Sequence, residues 1–150
     1  MQASDAAIQL IRQFEGFRAA PYLCPSGVPT IGYGHTAGVT MAAKPITEEQ
    51  ATVLLAADLQ RYEKAVEAAV TLPLMQHEFD ALVSFVFNIG VSAFRTSTLL
   101  RHLNAGDRAA AAGQFGVWNK GRRGGQLVVL PGLVARRLAE RKLFEGRSWP

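Results

Sequence analysis

Cysteine is nearly absent from this chain: Cys24 is the only one in 150 residues. That excludes an intramolecular disulfide and a multi-cysteine metal centre. On its own, a lone cysteine reads as a small buried hydrophobe. Long apolar runs are missing too, and none approaches the ~20 residues that a bilayer crossing requires. The opening Met1-Gln2-Ala3-Ser4-Asp5 has no basic segment followed by an apolar stretch, so neither a cleavable signal peptide nor a stable membrane anchor is expected. Metal-ligand spacing, a phosphate-cradling glycine loop, internal repeats and low-complexity tracts are all absent, so no metal and no cofactor are expected. Charged residues make up only 19% of the chain and hydrophobic residues 49%, which is the balance of a folded globular protein. The length is that of one domain with a real core.

Acidic residues are scarce in the C-terminal part. Residues 1–94 hold 5 Lys/Arg against 9 Asp/Glu, whereas residues 95–150 hold 11 against 3. A basic half of this kind attracts an anionic polymer, and charge alone does not choose among nucleic acid, anionic lipid and anionic wall polymer.

Apolar residues at Ala7, Ile8, Ile11 and Phe14 have helical spacing, which predicts a helix over about Ser4–Phe17 that stops before Pro21. Residues 22–40 hold Gly27, Gly32, Gly34 and Gly38 with Pro25 and Pro29 around short β-favouring pieces, which predicts a hairpin or a three-stranded sheet. Thr47 and Gln50 fit a capping box that opens a helix running to about Val70, roughly 35 Å long and able to bridge two lobes. Gln76–Ile89 reads as a central buried helix capped by Gly90. Thr96–Leu103, Asp107–Phe115 and Leu133–Phe144 follow as helices, with a Gly/Lys/Arg-rich loop from Trp118 to Pro131. The fold class is α+β: one domain, mostly helical, with a small N-terminal sheet-bearing lobe (about 15–46) and a larger helical lobe (71–150 plus the first helix) joined by the long helix.

The residues with chemistry in them are Glu15, in Phe14-Glu15-Gly16-Phe17-Arg18, then Cys24, then Thr30-Ile31-Gly32-Tyr33-Gly34-His35-Thr36. Glu15 stands near the end of the first helix, where its side chain can face a cleft against the sheet. A Glu, eight residues, an Asp or Cys, five residues and a Thr resembles the signature of the T4-like phage lysozymes, glycoside hydrolase family 24. Phe79–Gly90 resembles that family's central helix, Ser97-Thr98-Leu99-Leu100 its next helix, and Leu130–Arg137 with Ala139-Glu140-Arg141 its C-terminal motif. The resemblance covers about residues 8–145.

It implies an endolysin that hydrolyses the β-1,4 bond between N-acetylmuramic acid and N-acetylglucosamine in peptidoglycan, with Glu15, Cys24 and Thr30 as catalytic residues. Glu15 is the obvious acid for protonating the leaving oxygen. It would stay protonated near neutral pH most simply through desolvation in an apolar cleft. Cys24 stands where Asp is commoner. It is expected to be mostly thiol at neutral pH, raised further by the neighbouring Glu unless a basic group opposes it. It deprotonates in turnover, orients water with Thr30, or is a spectator. Thr30 would hold the attacking water, and inversion at the anomeric carbon is favoured. His35, Phe87, Asn88 and Arg136 are the candidate substrate-binding residues. His35 is better read as structural, paired with Asp80 to tie the lobes, and Arg136 is placed to reach Glu15. The partners implied are peptidoglycan glycan strands and anionic envelope polymers, with no nucleic acid, acting as a monomer held in the host cytoplasm until a holin-type pore admits it to the wall.

Three other readings compete. Lytic transglycosylation of the same bond needs a Glu but no second carboxylate, and Cys24 keeps it open. A thiol enzyme using Cys24 and His35 is disfavoured because Pro25 lacks the next backbone N–H for an oxyanion hole. A non-catalytic wall or nucleic-acid binder would leave the Glu15 constellation unexplained.

Overall fold

The computed structural model describes residues 1–149. Helix α1 (Asp5–Glu15) starts at Ser4, whose hydroxyl accepts the Ala6 N–H, and ends at Gly16 with φ 75°. That positive φ stops the helix one residue after Glu15, because a side chain at position 16 would be strained there. The chain turns directly into β1 (Arg18–Leu23), which pairs antiparallel with β2 (Pro29–Gly32). Pro21 is thus inside a strand rather than beyond a longer helix, and it falls where the register shifts between Arg18 and Tyr22. Proline has no N–H to give a ladder, so it is tolerated where pairing is already broken. Ile31 and His35 close a tight bridge by exchanging backbone bonds of 2.9 Å each way.

The long helix α2 (Glu48–Ala69) opens with the capping box read from the sequence: Thr47 Oγ1 accepts from Gln50 N at 3.1 Å and Gln50 Oε1 accepts from Thr47 N at 2.9 Å. It packs on β2 and on α3 (Gln76–Ile89), and so connects the sheet to the helical part. Gly32 makes the first contact close: a Cβ there would sit 3.1 Å from Ala51 Cβ.

Helix α3 is the centre of the core. Every residue from Glu78 to Val86 is buried, with α1, α2 and α7 packed around it. A helix buried on all sides is stable when its apolar residues pack on every face and its few polar groups find partners inside. Its buried acids are satisfied: Asp80 accepts from Ser4 N and Gln76 Nε2, both at 2.9 Å, and Glu78 accepts from Arg108 Nε at 2.7 Å.

After α3 come α4 (Val91–Arg95), α5 (Thr98–Asn104, capped by Ser97) and α6 (Arg108–Gln114, capped by Asp107). A 3-10 turn over Phe115–Val117 follows. The stretch 118–131, expected as a loop, is a hairpin of β3 (Lys120–Arg123) and β4 (Gln126–Val129). Gly124 (φ 59°) and Gly125 (φ 79°) form its two-residue turn, the backbone twist that antiparallel strands favour. Helix α7 (Pro131–Phe144) begins two residues earlier than expected, with Pro131 in its first turn. Phe85, Phe115 and Phe144 stack edge-on or tilted at 5.1 and 5.5 Å and lock α3 to α7. Among the described residues no helix is long and apolar enough to cross a membrane.

Candidate active site

Glu15 occupies the last position of α1, and the turn at Gly16 points its carboxylate into a cleft of about 630 Å³. Gly34 forms the opposite lip, where a Cβ would stand 3.9 Å from Glu15 Oε1. The far wall is the polar face of α2, with Asp58, Arg61 and Lys64, joined by Phe87 and Asn88 at the end of α3. Tyr62 and Phe87 meet edge to face at 5.2 Å and form a firm apolar corner. On its other side Glu15 borders a second depression of about 420 Å³ between Phe14, Asn88, Arg123 and the start of α7. Glu15 and Asn88 therefore lie where the two depressions meet.

The apolar surroundings expected for Glu15 are not what the structure shows. Its side chain is 25% exposed, and Oε2 accepts a hydrogen bond from Arg136 Nη1 across 121 residues of sequence. Arg136 is itself 3% exposed and held from two further directions. Its Nε donates to Glu140 Oε1 at 3.1 Å and its Nη2 to the Ser84 carbonyl at 3.3 Å. Ser84 Oγ donates to the same Glu140 oxygen at 2.8 Å. Next along α7, Arg137 donates from Nη2 to Asn88 Oδ1 at 2.6 Å, approaches Glu140 Oε2 at 3.0 Å and lies over the Phe85 ring. On balance burial pushes the Glu140 carboxyl up, and the guanidiniums of Arg137 and Arg136 oppose that shift only in part. Burial likewise pushes Arg137 down, opposed by Glu140. Arginine does not release its proton in proteins, so ionised Glu140 is the counter-charge this buried pair requires.

Cys24 and Thr30 sit together on the small sheet. Cys24 N and Thr30 Oγ1 both donate to the Val28 carbonyl, at 3.0 and 2.9 Å. Neither residue lines the 630 Å³ cleft. Cys24 Sγ is 3.0 Å from Ser26 Oγ and partly exposed. The thiol is pushed down to about 7, first by the Ser26 hydroxyl and then by the Val28 backbone, against a weaker opposing effect of burial. The expected upward shift from a neighbouring carboxylate is corrected here: hydrogen bonds within its own turn stabilise the thiolate, and no basic side chain is needed.

His35 does not pair with Asp80. Its Nδ1 lies 2.8 and 3.0 Å from the two carboxylate oxygens of Asp58, which ties the sheet's turn to α2. Asp80 is on α3 and engaged by Ser4. Phe87 and Asn88 line the cleft, and His35 supports its wall through Asp58. Sequence reasoning missed Asp58, Arg61 and Lys64, and also Ser84, Arg137 and Glu140. A signal existed for both sets. The cleft residues of α2 recur at helical spacing on one polar face, and Arg136, Arg137 and Glu140 stand at the i,i+4 and i,i+3 separations that pair on a helix. Among the described residues no group of three or more His, Cys, Asp or Glu side chains is placed to hold a metal ion.

Residues 12–140 match the phage lysozyme family. The chain is 42% identical over 145 residues to the endolysin of Acyrthosiphon pisum secondary endosymbiont phage 1, covering 97% of this chain and 99% of that one. It is 44% identical over 149 residues to the endolysin of Bacillus phage PZA, covering 96% of this chain but spanning only 55% of that relative. Among solved structures, the muramidase domain of SpmX from Asticaccaulis excentricus superposes with a TM-score of 0.90 at 42% identity, covering 95% of this chain and 97% of that one. With its sequence matched over most of its length and its fold shared with a muramidase domain, the chain belongs to the phage lysozyme family of cell-wall-degrading enzymes.

Proposed function

We propose that the protein hydrolyses the β-1,4 bond between N-acetylmuramic acid and N-acetylglucosamine in peptidoglycan, with Glu15 as general acid. The observation that carries this reading is the position of Glu15 where two adjoining depressions meet, so that an extended glycan crossing both presents a glycosidic oxygen to its carboxyl. Glu15 gives its proton to the leaving oxygen of N-acetylglucosamine, and water attacks the anomeric carbon of N-acetylmuramic acid. The ion pair with Arg136 does not block this role. When Glu15 is neutral, Arg136 still has Glu140 and the Ser84 carbonyl, so no buried charge is orphaned.

Cys24 and Thr30 adjoin on the small sheet outside the lining of the 630 Å³ cleft, and they are assigned to the water on the Glu15–Cys24–Thr30 spacing that resembles the family's signature. A thiol pushed down to about 7 is half thiolate near neutral pH and takes the proton that the attacking water releases. Thr30 stands beside Cys24, and its hydroxyl oxygen, while donating to the Val28 carbonyl, keeps lone pairs with which to accept from that water. Attack from the side away from Glu15 inverts the anomeric centre. Arg61 and Lys64 give the cleft wall positive charge suited to the carboxylates of peptidoglycan.

Mass spectrometry of muropeptides released from purified Gram-negative sacculi tests the proposal. Hydrolysis gives reducing N-acetylmuramic acid ends. Products lighter by one water, with anhydro ends, would establish transglycosylation instead and refute the water-activating role of Cys24 and Thr30.

A further inference from the structure

Glu140 is fully buried and touches no cleft. A carboxylate in that position is costly unless it is paired. Here it is paired twice, and both partners lead to the cleft. Through Arg136 Nε (3.1 Å) it reaches the guanidinium that donates to Glu15, and through Arg137 (3.0 Å) it reaches the guanidinium that donates to Asn88. Ser84 Oγ fixes its Oε1 from α3.

We propose that Glu140 is a positioning residue for the reaction: its buried carboxylate holds Arg136 while Glu15 gives up and regains its proton, and holds Arg137 so that Asn88 keeps its place in the cleft wall. The inference rests on the reading of Glu15 as the acid. Arg136 has two carboxylates to serve, Glu15 and Glu140. While Glu140 is charged, Arg136 keeps a counter-charge behind it whatever Glu15 does in the reaction. Without that charge Glu15 is the one carboxylate left against Arg136, and their attraction is stronger for it. The other charged groups near Glu15 are Asp58, Arg61 and Lys64 on α2 and Arg123 on β3, which border the depressions it lines, and Arg137, which acts on it from farther off.

The test is the pH–rate profile of wall lysis in Glu140→Gln and Glu140→Asp, with melting temperatures measured alongside. A general acid is lost as pH rises, so its state sets the alkaline limb. Glu140→Gln is expected to move that limb to lower pH by about one unit, the size of effect a nearby opposite charge produces. Glu140→Asp keeps the charge and is expected to keep the wild-type limb, even where its melting temperature falls. A purely structural Glu140 predicts falls in melting temperature with one unchanged profile for both variants, and that result overturns the proposal. Should Glu140→Gln fail to fold, the double variant Arg137→Met with Glu140→Gln removes one buried charge of each sign. It too is expected to show a lowered limb, by less than Glu140→Gln because the Arg137 charge that also acts on Glu15 is gone, and a double variant with the wild-type limb overturns the proposal. Failure of the acid assignment is separately visible: a Glu15→Gln protein that retains wild-type lysis removes Glu15 as the acid, and the role of Glu140 falls with it.

Discussion

Glu15→Gln separates chemistry from folding. The amide keeps the side chain's shape and can still accept from Arg136, but it cannot deliver a proton as a carboxylic acid does. General acid catalysis contributes about 10²–10⁴-fold, equivalent to about 2.7–5.5 kcal/mol on the barrier. The effect on stability is expected to be far smaller, for two structural reasons. The Glu15 side chain is a quarter exposed, so water screens its pair with Arg136. Arg136 also retains Glu140 at 3.1 Å and the Ser84 carbonyl at 3.3 Å, so the substitution does not strand it. The fold should lose at most about 1 kcal/mol, and the melting temperature about 2–4 °C. Turbidity loss of permeabilised Gram-negative cells reads the first quantity and calorimetry the second. A folded Glu15→Gln protein that clears cells within about threefold of wild type, well short of the loss of a general acid, would refute the assignment. A melting temperature lowered by about 10 °C or more, far above the shift of a screened pair, would refute the claim that Glu140 and Ser84 suffice to hold Arg136.

Alkylation of Cys24 by iodoacetamide should titrate with a midpoint about 7, because only the thiolate reacts; a midpoint near the ordinary 9.0 removes the argument for a base. Cys24→Asp should retain much of the wild-type lysis and Cys24→Ala should lose most of it, both with native circular dichroism; a fully active Cys24→Ala makes the sulfur a spectator. Gly32→Ala places a Cβ 3.1 Å from Ala51 Cβ at a φ of 67°, so it should cost about 2–4 kcal/mol in chemical denaturation and loosen the sheet from α2; an unchanged denaturation midpoint would show that this close approach does not hold the sheet.

What the sequence determined by itself is whatever depends on near neighbours. The caps at Ser4, Thr47 and Asp107 are contacts over two or three residues, so the local order of side chains places them. The bounds of α3 follow from an apolar run that has nowhere to go but inside, closed by a glycine at φ 93°. The spacing of Glu15, Cys24 and Thr30 is a sequence property as well, and it pointed to the right family. The β3–β4 hairpin was within reach, since Gly124-Gly125 is a two-residue turn signal, but β3 is basic and neither strand has the alternating apolar pattern by which strands are read.

Tertiary structure alone decided which charges meet. His35 finds Asp58 instead of Asp80 because the turn at Gly34 sets it against α2, while Asp80 faces the start of α1. Arg136 reaches Glu15 across 121 positions because α1 and α7 both pack on α3. Glu140 looks like an ordinary helix-surface acid in one dimension, and only the packing of α7 on α3 shuts it away from water with two guanidiniums. Helical periodicity tells which residues share a face, but not which face a neighbour will cover. Electrostatic partners follow from that covering, because a charge acts through space and is strong only where water has been excluded.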